Sequence, residues 1–231
     1  GYSKTSLELQ QGQGELGAVG ASVIGYLSYY PTQESYIDAI LSLNNTAFES
    51  ERRIVFGTAD DIAKSENESI ALALSLATGF NAIQSGGFTA SVDFRLDYIS
   101  TTVQGYSETG DSVFNVTIAE RDVKQLTTYL GTTLSKAISM GTMVLLPQLD
   151  MFWVHQFEEE SDVVEGYFSV DTQKNLFSFN SNVTDTDYFR VDFGLSATST
   201  SGTTSFLQLG STLSRSDYSN WNVAFGIRLE L

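Results

Sequence analysis

The sequence predicts an all-β protein, an up-and-down antiparallel transmembrane β-barrel, and three observations carry that prediction. Apolar residues recur with a period of two along most of the chain. The polar positions between them are often charged, and tight turns alternate with long polar connections. A period of two puts successive side chains on opposite faces of a strand. Long strands with one apolar and one polar face, joined alternately by short and long connections, form the pattern of barrels that cross a membrane with strands. A water-soluble sandwich or lipocalin-like barrel also alternates, with its apolar face turned inward. Strand length, the two kinds of connection and aromatic residues near strand ends favour the membrane form.

In chain order, about ten strands are expected, at 1–9, 16–30, 35–56, 68–83, 87–106, 123–139, 142–158, 188–199, 203–216 and 219–231. In "SYIDAILSLNN", Ile37, Ala39, Leu41 and Leu43 share a face. "SIALALSLAT" sets Ile70, Leu72, Leu74 and Leu76 against alanines and Ser75. "SVDFRLDYIS" turns Val92, Phe94, Leu96 and Tyr98 one way and Ser91, Asp93, Arg95 and Asp97 the other. "YFRVDFGLSA" repeats this with Phe189, Val191, Phe193 and Leu195 against Arg190, Asp192, Gly194 and Ser196. Leu207, Leu209 and Leu213 align in "SFLQLGSTLS", and Phe225, Ile227, Leu229 and Leu231 in "NVAFGIRLEL". Most of these runs exceed the ~5–6 residues of a typical soluble strand. Short turns are expected at 31–34, 84–87, 139–142 and 200–203; long connections at 10–15, 57–68, 107–122 and roughly 160–187. Tyr26, Tyr29, Tyr30, Tyr36, Trp153, Phe157, Tyr218 and Trp221, near strand ends, read as interface girdles.

Composition narrows the function. The chain has 231 residues, 28 Asp and Glu against 12 Lys and Arg, and a net charge of −16. That balance argues against nucleic acid or anionic lipid held on a broad basic face. Cysteine is absent, which removes disulfides and thiolate metal sites, and His155 has no second imidazole with which to build a zinc centre. No stretch approaches the ~20 consecutive apolar residues of a membrane-spanning helix.

The terminus and two internal stretches carry a resemblance. "AFGIRLEL" resembles the C-terminal signal of bacterial outer-membrane barrels, with Gly226, Leu229 and Leu231 on its fixed positions. Ala224 stands in its polar opening slot, and Leu231 replaces the usual terminal Phe. "SYIDAILSLNNTAFESERRI" resembles a stretch of type V autotransporter translocator domains running to a Ser-x-Arg; Tyr36, Asp38, Ser50 and Arg52 match, with Arg53 beside them. "LLPQLDMFWVHQFEE" resembles the family's Pro-led strand ending in Trp-x-His-Glu-Phe, through Pro147, Trp153, His155 and Phe157, while Gln156 replaces the Glu. Residues 1–30 resemble an early hairpin of the same domain. The resemblance implies a barrel of twelve strands behind a pore-threading helix and an exported passenger. Residue 1 would then fall inside the third strand, and residues 1–231 form a single domain, N-terminally incomplete by two strands.

The candidate residues follow. Phe225, Gly226, Ile227, Leu229 and Leu231 form an assembly signal: an edge strand with an alternating apolar face can be captured by strand addition to the barrel-assembly machinery. Asp38, Asp93, Arg95, Asp97, Asp150, Arg190, Asp192, Arg228 and Glu230 are candidate lumen-lining residues, mixed in sign as a hydrated channel or a seat for a plug requires. His155 as a catalytic base lacks the partners that barrel hydrolases need, and an interfacial role is expected. The acidic run Glu158–Glu159–Glu160 with Asp162 reads as a solvated outer loop before a Ca²⁺ site, and Asn44, Asn115 and Asn182 begin glycosylation patterns without meaning in a bacterial outer membrane. The expectation is therefore a translocator of the Gram-negative outer membrane. It would be embedded in outer-membrane lipid and covalently linked to an upstream passenger, with no cofactor, no catalysis and no nucleic acid. Its long loops would be extracellular and its C-terminus periplasmic. The alternative is a passive diffusion pore or structural barrel without a passenger.

Overall fold

The computed structural model describes residues 1–8, 13–157, 162–181, 185–215 and 220–229. Glu158 to Glu160, Asn182, Tyr218, Glu230 and Leu231 lie outside the described residues. The described chain holds no helix. Its strands are β1 (Tyr2–Glu8), β2 (Gly14–Tyr29), β3 (Ser35–Phe56), β4 (Ala59–Ser85), β5 (Phe88–Val103), β6 (Tyr106–Ser107), β7 (Val116–Ile118), β8 (Arg121–Lys136), β9 (Ile138–Met140), β10 (Met143–Phe157), β11 (Asp162–Phe168), β12 (Phe177–Ser181), β13 (Asp187–Ser199), β14 (Thr203–Leu213) and β15 (Trp221–Leu229).

One large antiparallel sheet runs in the order β1-β2-β3-β4-β5-β8-β10-β13-β14-β15, with β9 paired to β10 before the turn into it. These are the ten expected strands, each beside its sequence neighbour, as up-and-down topology requires. Among the described residues β1 pairs only with β2 and β15 only with β14, so the ladder is open between them.

The short turns show why the chain reverses where it does. Ser85 pairs with Phe88 across Gly86 and Gly87, whose φ angles are +57° and +80°. A two-residue hairpin turn with both central residues at positive φ matches the twist of the flanking strands and favours glycine.

Burial is inverted relative to a water-soluble sheet. Register places Val23, Leu43, Leu72, Phe94, Leu130, Met151, Phe193, Leu209 and Phe225 on one face, and each is exposed. The opposite face buries Asp93 and Asp192, at 6% and 5% exposure, together with Ser91, Thr127 and Val154. Apolar outside and charged inside is the arrangement that lipid demands. Three aromatic rings on the polar face lie over directly opposed glycines: Tyr36 over Gly79, Phe152 over Gly131 and Phe206 over Gly226. A Cβ at any of these glycines would overlap the ring. Each ring thus covers backbone that glycine leaves bare.

Three expectations need correction. The stretch 57–68 is not a loop: β3 and β4 continue as one long hairpin that turns at Gly57 and Thr58, because "DDIAKSENES" keeps pairing with Thr46 to Val55. The connections at 107–122 and 160–187 contain strands of their own. There β12, β11, β7 and β6 form a second, four-stranded sheet. Tyr26 and Tyr36 are not on the outer face. Tyr36 turns to the polar face and donates to Asp93 Oδ1 at 2.9 Å, and Tyr26 opposes Ile40 on that same side.

Candidate functional site

The candidate site is the polar face of the large sheet, where β5, β8, β10 and β13 gather most of the predicted charges. A row of directly paired residues crosses it: Asp38, Ala77, Arg95, Tyr129, Val154 and Tyr188. Asp93 lies between Gly79 and Gly131, Asp97 between Ser75 and Thr127, and Asp150 between Thr133 and Asp192. Strand pleating brings residues two apart onto one face, and this local geometry supplies Asp93, Asp150 and Asp192 with a donor.

Arg190 donates through Nε to Asp192 Oδ2 at 2.6 Å. Ser91 Oγ donates to Asp93 Oδ2 at 2.6 Å, and Gln148 Nε2 to Asp150 Oδ1 at 2.9 Å. Thr133 adds a second donor to Asp150 at 2.8 Å, and Ser75 bonds Asp97 at 2.6 Å. The Arg95 guanidinium stands 3.8 Å over the Tyr129 ring, and its Nε lies 3.2 Å from Asp97 Oδ2. That contact is an ion pair without hydrogen-bond alignment, since Arg95 Nε makes no hydrogen bond. Asp150 and Asp192 face each other directly across β10 and β13. Like charges so placed repel, and the donors around each offset that repulsion. Asp38 Oδ1 is buried and has no hydrogen-bond partner among the described residues.

Register assembles Asp93, Arg95, Asp97, Asp150, Arg190 and Asp192 into one cluster, with Asp38 at its edge. Arg228 shares the face but lies away from the cluster, opposite Thr204. Tyr129, Phe152, Tyr188 and Gln208 belong to the same wall and were missed from sequence. The aromatic residues among them sit on the polar parity of their strands, and counting parity along 121–136, 143–157 and 187–199 would have found them.

In the terminal strand Phe225, Ile227 and Leu229 project from the apolar face at 70%, 61% and 65% exposure. Gly226 points the other way, beneath Phe206. His155 is on the apolar face, stacked edge-on with Phe157, and shares Asp187 Oδ1 with Trp153 Nε1 at 3.0 Å each. Among the described residues no group of acidic or His side chains has the spacing of a metal site.

The fold is similar to that of a solved structure, the translocator domain of autotransporter NalP from Neisseria meningitidis, with a TM-score of 0.65 over 93% of this chain and 67% of that one at 16% identity. No curated protein matches the sequence. The autotransporter β-domain family model matches residues 1–210. The chain therefore belongs to the autotransporter β-domain family, the translocator barrels of type V secretion in the outer membrane of Gram-negative bacteria.

Proposed function

We propose that this domain is the outer-membrane pore through which a linked N-terminal passenger segment reaches the cell surface. The observation that carries the reading is the polar face, where carboxylates and guanidinium groups are hydrogen-bonded or ion-paired inside an otherwise apolar-out sheet. A wall of paired charges keeps water and a passing polypeptide solvated without binding either tightly. In this reading Asp38, Asp93, Arg95, Asp97, Asp150, Arg190, Asp192, Arg228 and Glu230 line the lumen. Phe94, Val191 and their neighbours hold the barrel in lipid. The second sheet and the tip of the β3–β4 hairpin are extracellular, and the turns at 86–87 and 200–202 are periplasmic. Phe225, Gly226, Ile227, Leu229 and Leu231 deliver the strand to the assembly machinery.

The test places an epitope tag upstream of residue 1 in the full-length protein. Antibody should reach the tag on intact cells. A tag that stays hidden while the barrel is folded in the membrane would point to the passive pore instead. In the same cells Leu231→Asp should abolish insertion and Glu230→Gln should not, because the apolar face is what strand capture reads. Equal insertion of the two variants would remove the assembly signal.

A further inference from the structure

From the way the second sheet is fastened to the β3–β4 hairpin, we infer that it is a latched lid over the outer mouth of the pore, with the Arg52–Glu108 pair as its latch. The inference rests on the pore reading above, and it assigns Arg52 a role that the sequence pattern left open.

Arg52 stands near the outer end of β3, on the face that lower down carries Tyr36 and Asp38. Its guanidinium grips Glu108 with a fork: Nε donates to Oε1 at 2.9 Å and Nη2 to Oε2 at 2.7 Å. Nη2 also donates to the Phe114 carbonyl at 3.2 Å, and Glu108 Oε2 accepts the Val116 N–H at 2.9 Å. The Glu108 side chain is only 8% exposed, while that of Arg52 keeps 43%. Bidentate pairing of this kind fixes geometry as well as charge. The bond to Glu108 holds the Arg52 pKa above its ordinary value, so the latch stays charged on the arginine side at every physiological pH.

Beyond the latch, toward the hairpin tip, apolar residues are buried on the same side of the hairpin. Ile54 and Ala63 are buried there, at 9% and 1% exposure, and Ser112 and Asn115 are buried in the segment between β6 and β7. Phe56 meets the Phe114 ring edge-on at 5.6 Å. Lys64 and Thr109 exchange both backbone hydrogen bonds, at 2.9 and 2.8 Å. They join the second sheet to the upper edge of β4, which β5 leaves uncovered beyond Ser69. An unpaired edge there would invite association. The lid therefore hangs from β4, closes against β3 through Arg52, and is continuous in sequence with β8 through β7, with β10 through β11 and with β13 through β12. Its attachment is on the lumen side of the hairpin. Loops fastened there lie across the opening and not away from it.

The chain has no cysteine, which allows a direct experiment on the full-length protein in membranes. Lys64→Cys combined with Thr109→Cys would tie the lid shut by a disulfide, and Arg52→Ala and Glu108→Ala would release the latch. Heat-modifiable migration in SDS gels checks that each barrel is assembled. Conductance in planar bilayers and cleavage of residues 106–118 by external protease are then read together. The released variants should be cut at least ten-fold faster and conduct more than the parent, Arg52→Lys should fall between, and the oxidised double-cysteine form should conduct less until reductant is added. The Arg52→Ala, Glu108→Ala double variant should be no worse than either single change, as for two halves of one latch. Assembled barrels that conduct equally in every form overturn the lid and leave the pore standing. Barrels that conduct in none of these forms, the released variants included, overturn both.

Discussion

The large sheet and the small outer sheet follow opposite rules of burial within one chain. In the large sheet Phe94 and Phe193 are exposed while Asp93 and Asp192 are buried. In the outer sheet and hairpin tip Ile54, Ala63 and Ile118 are buried, as in any water-soluble core. Both regions are antiparallel and both alternate. The difference is the solvent on the far side of each face. Lipid rewards an apolar exterior and requires every backbone group to find a partner within the structure, whereas water rewards a small apolar core. The boundary between the two regimes falls near Ser69 on β4, where β5 stops pairing and Glu68, Glu66 and Lys64 begin to replace Ile70, Leu72 and Leu74 on the outer face.

The widest gap between the regimes is expected from a charge placed on the lipid-facing row. Phe94→Arg puts a guanidinium near the middle of that row, at a cost of about 2–4 kcal/mol at the bilayer midplane, and should abolish or sharply reduce membrane insertion. Asp93→Asn, one residue along on the polar face, keeps an acceptor oxygen for one of Tyr36 and Ser91 and offers its amide N–H to the other hydroxyl, and should insert normally. Insertion is measured as heat-modifiable barrel in membrane fractions. If Phe94→Arg assembles as well as Asp93→Asn, the inverted burial of the sheet is not a response to lipid.

A smaller and confined loss is expected in the outer sheet. Ile118→Ala removes buried methyl groups that lie against Gly166 of β11, which costs about 2 kcal/mol at the low end for such truncations. The loss should open the outer sheet to protease and leave the heat-modifiable barrel unchanged. A variant that also loses its barrel would show that the two regions are one cooperative unit.

The strands of the large sheet were legible because each is long enough to repeat its period several times. In "SVDFRLDYIS" the charges and the aromatic residues fall on opposite parities without exception, and the register of β5 follows. The outer sheet was not legible for the converse reason. Its strands β6 and β7 have two and three residues, too short for any period to show. β7 finds its partner β11 across about fifty residues of chain, and nothing local announces that pairing. The charges of the polar face were visible as parity, but their pairing was not. That Arg190 serves Asp192 while Tyr36 serves Asp93 depends on rotamers and on a strand 57 positions away. Arg52 was visible only as one residue of a pattern, since its partner Glu108 lies 56 positions on, in a segment that reads as loop.

The smallest expected effect concerns the loop that joins β11 to β12, where water alone surrounds the chain. Asp171 accepts the backbone N–H groups of Asn175 and Gln173, each at 2.9 Å, and the Asn175 side-chain amide at 2.8 Å. The hydrogen bond from the Asn175 backbone, followed by that from Gln173, holds its carboxyl below the ordinary value. A carboxylate whose pKa is depressed on folding stabilises above the ordinary value of about 3.9 and loses that contribution as pH falls through its own lowered pKa. The Gln173 and Asn175 amides should therefore be protected from hydrogen exchange at neutral pH and lose protection only in strong acid, after correction for intrinsic rates. Asp171→Ala should remove the protection at all pH values, with no change in the barrel and none in protease cleavage at 106–118. Protection that persists in Asp171→Ala would mean that the turn is held by its left-handed Lys174, at φ +52°, and by the Lys174 ammonium over the Tyr167 ring at 5.3 Å. The loop would then be set by backbone conformation and a cation–π contact, and its order would be indifferent to pH.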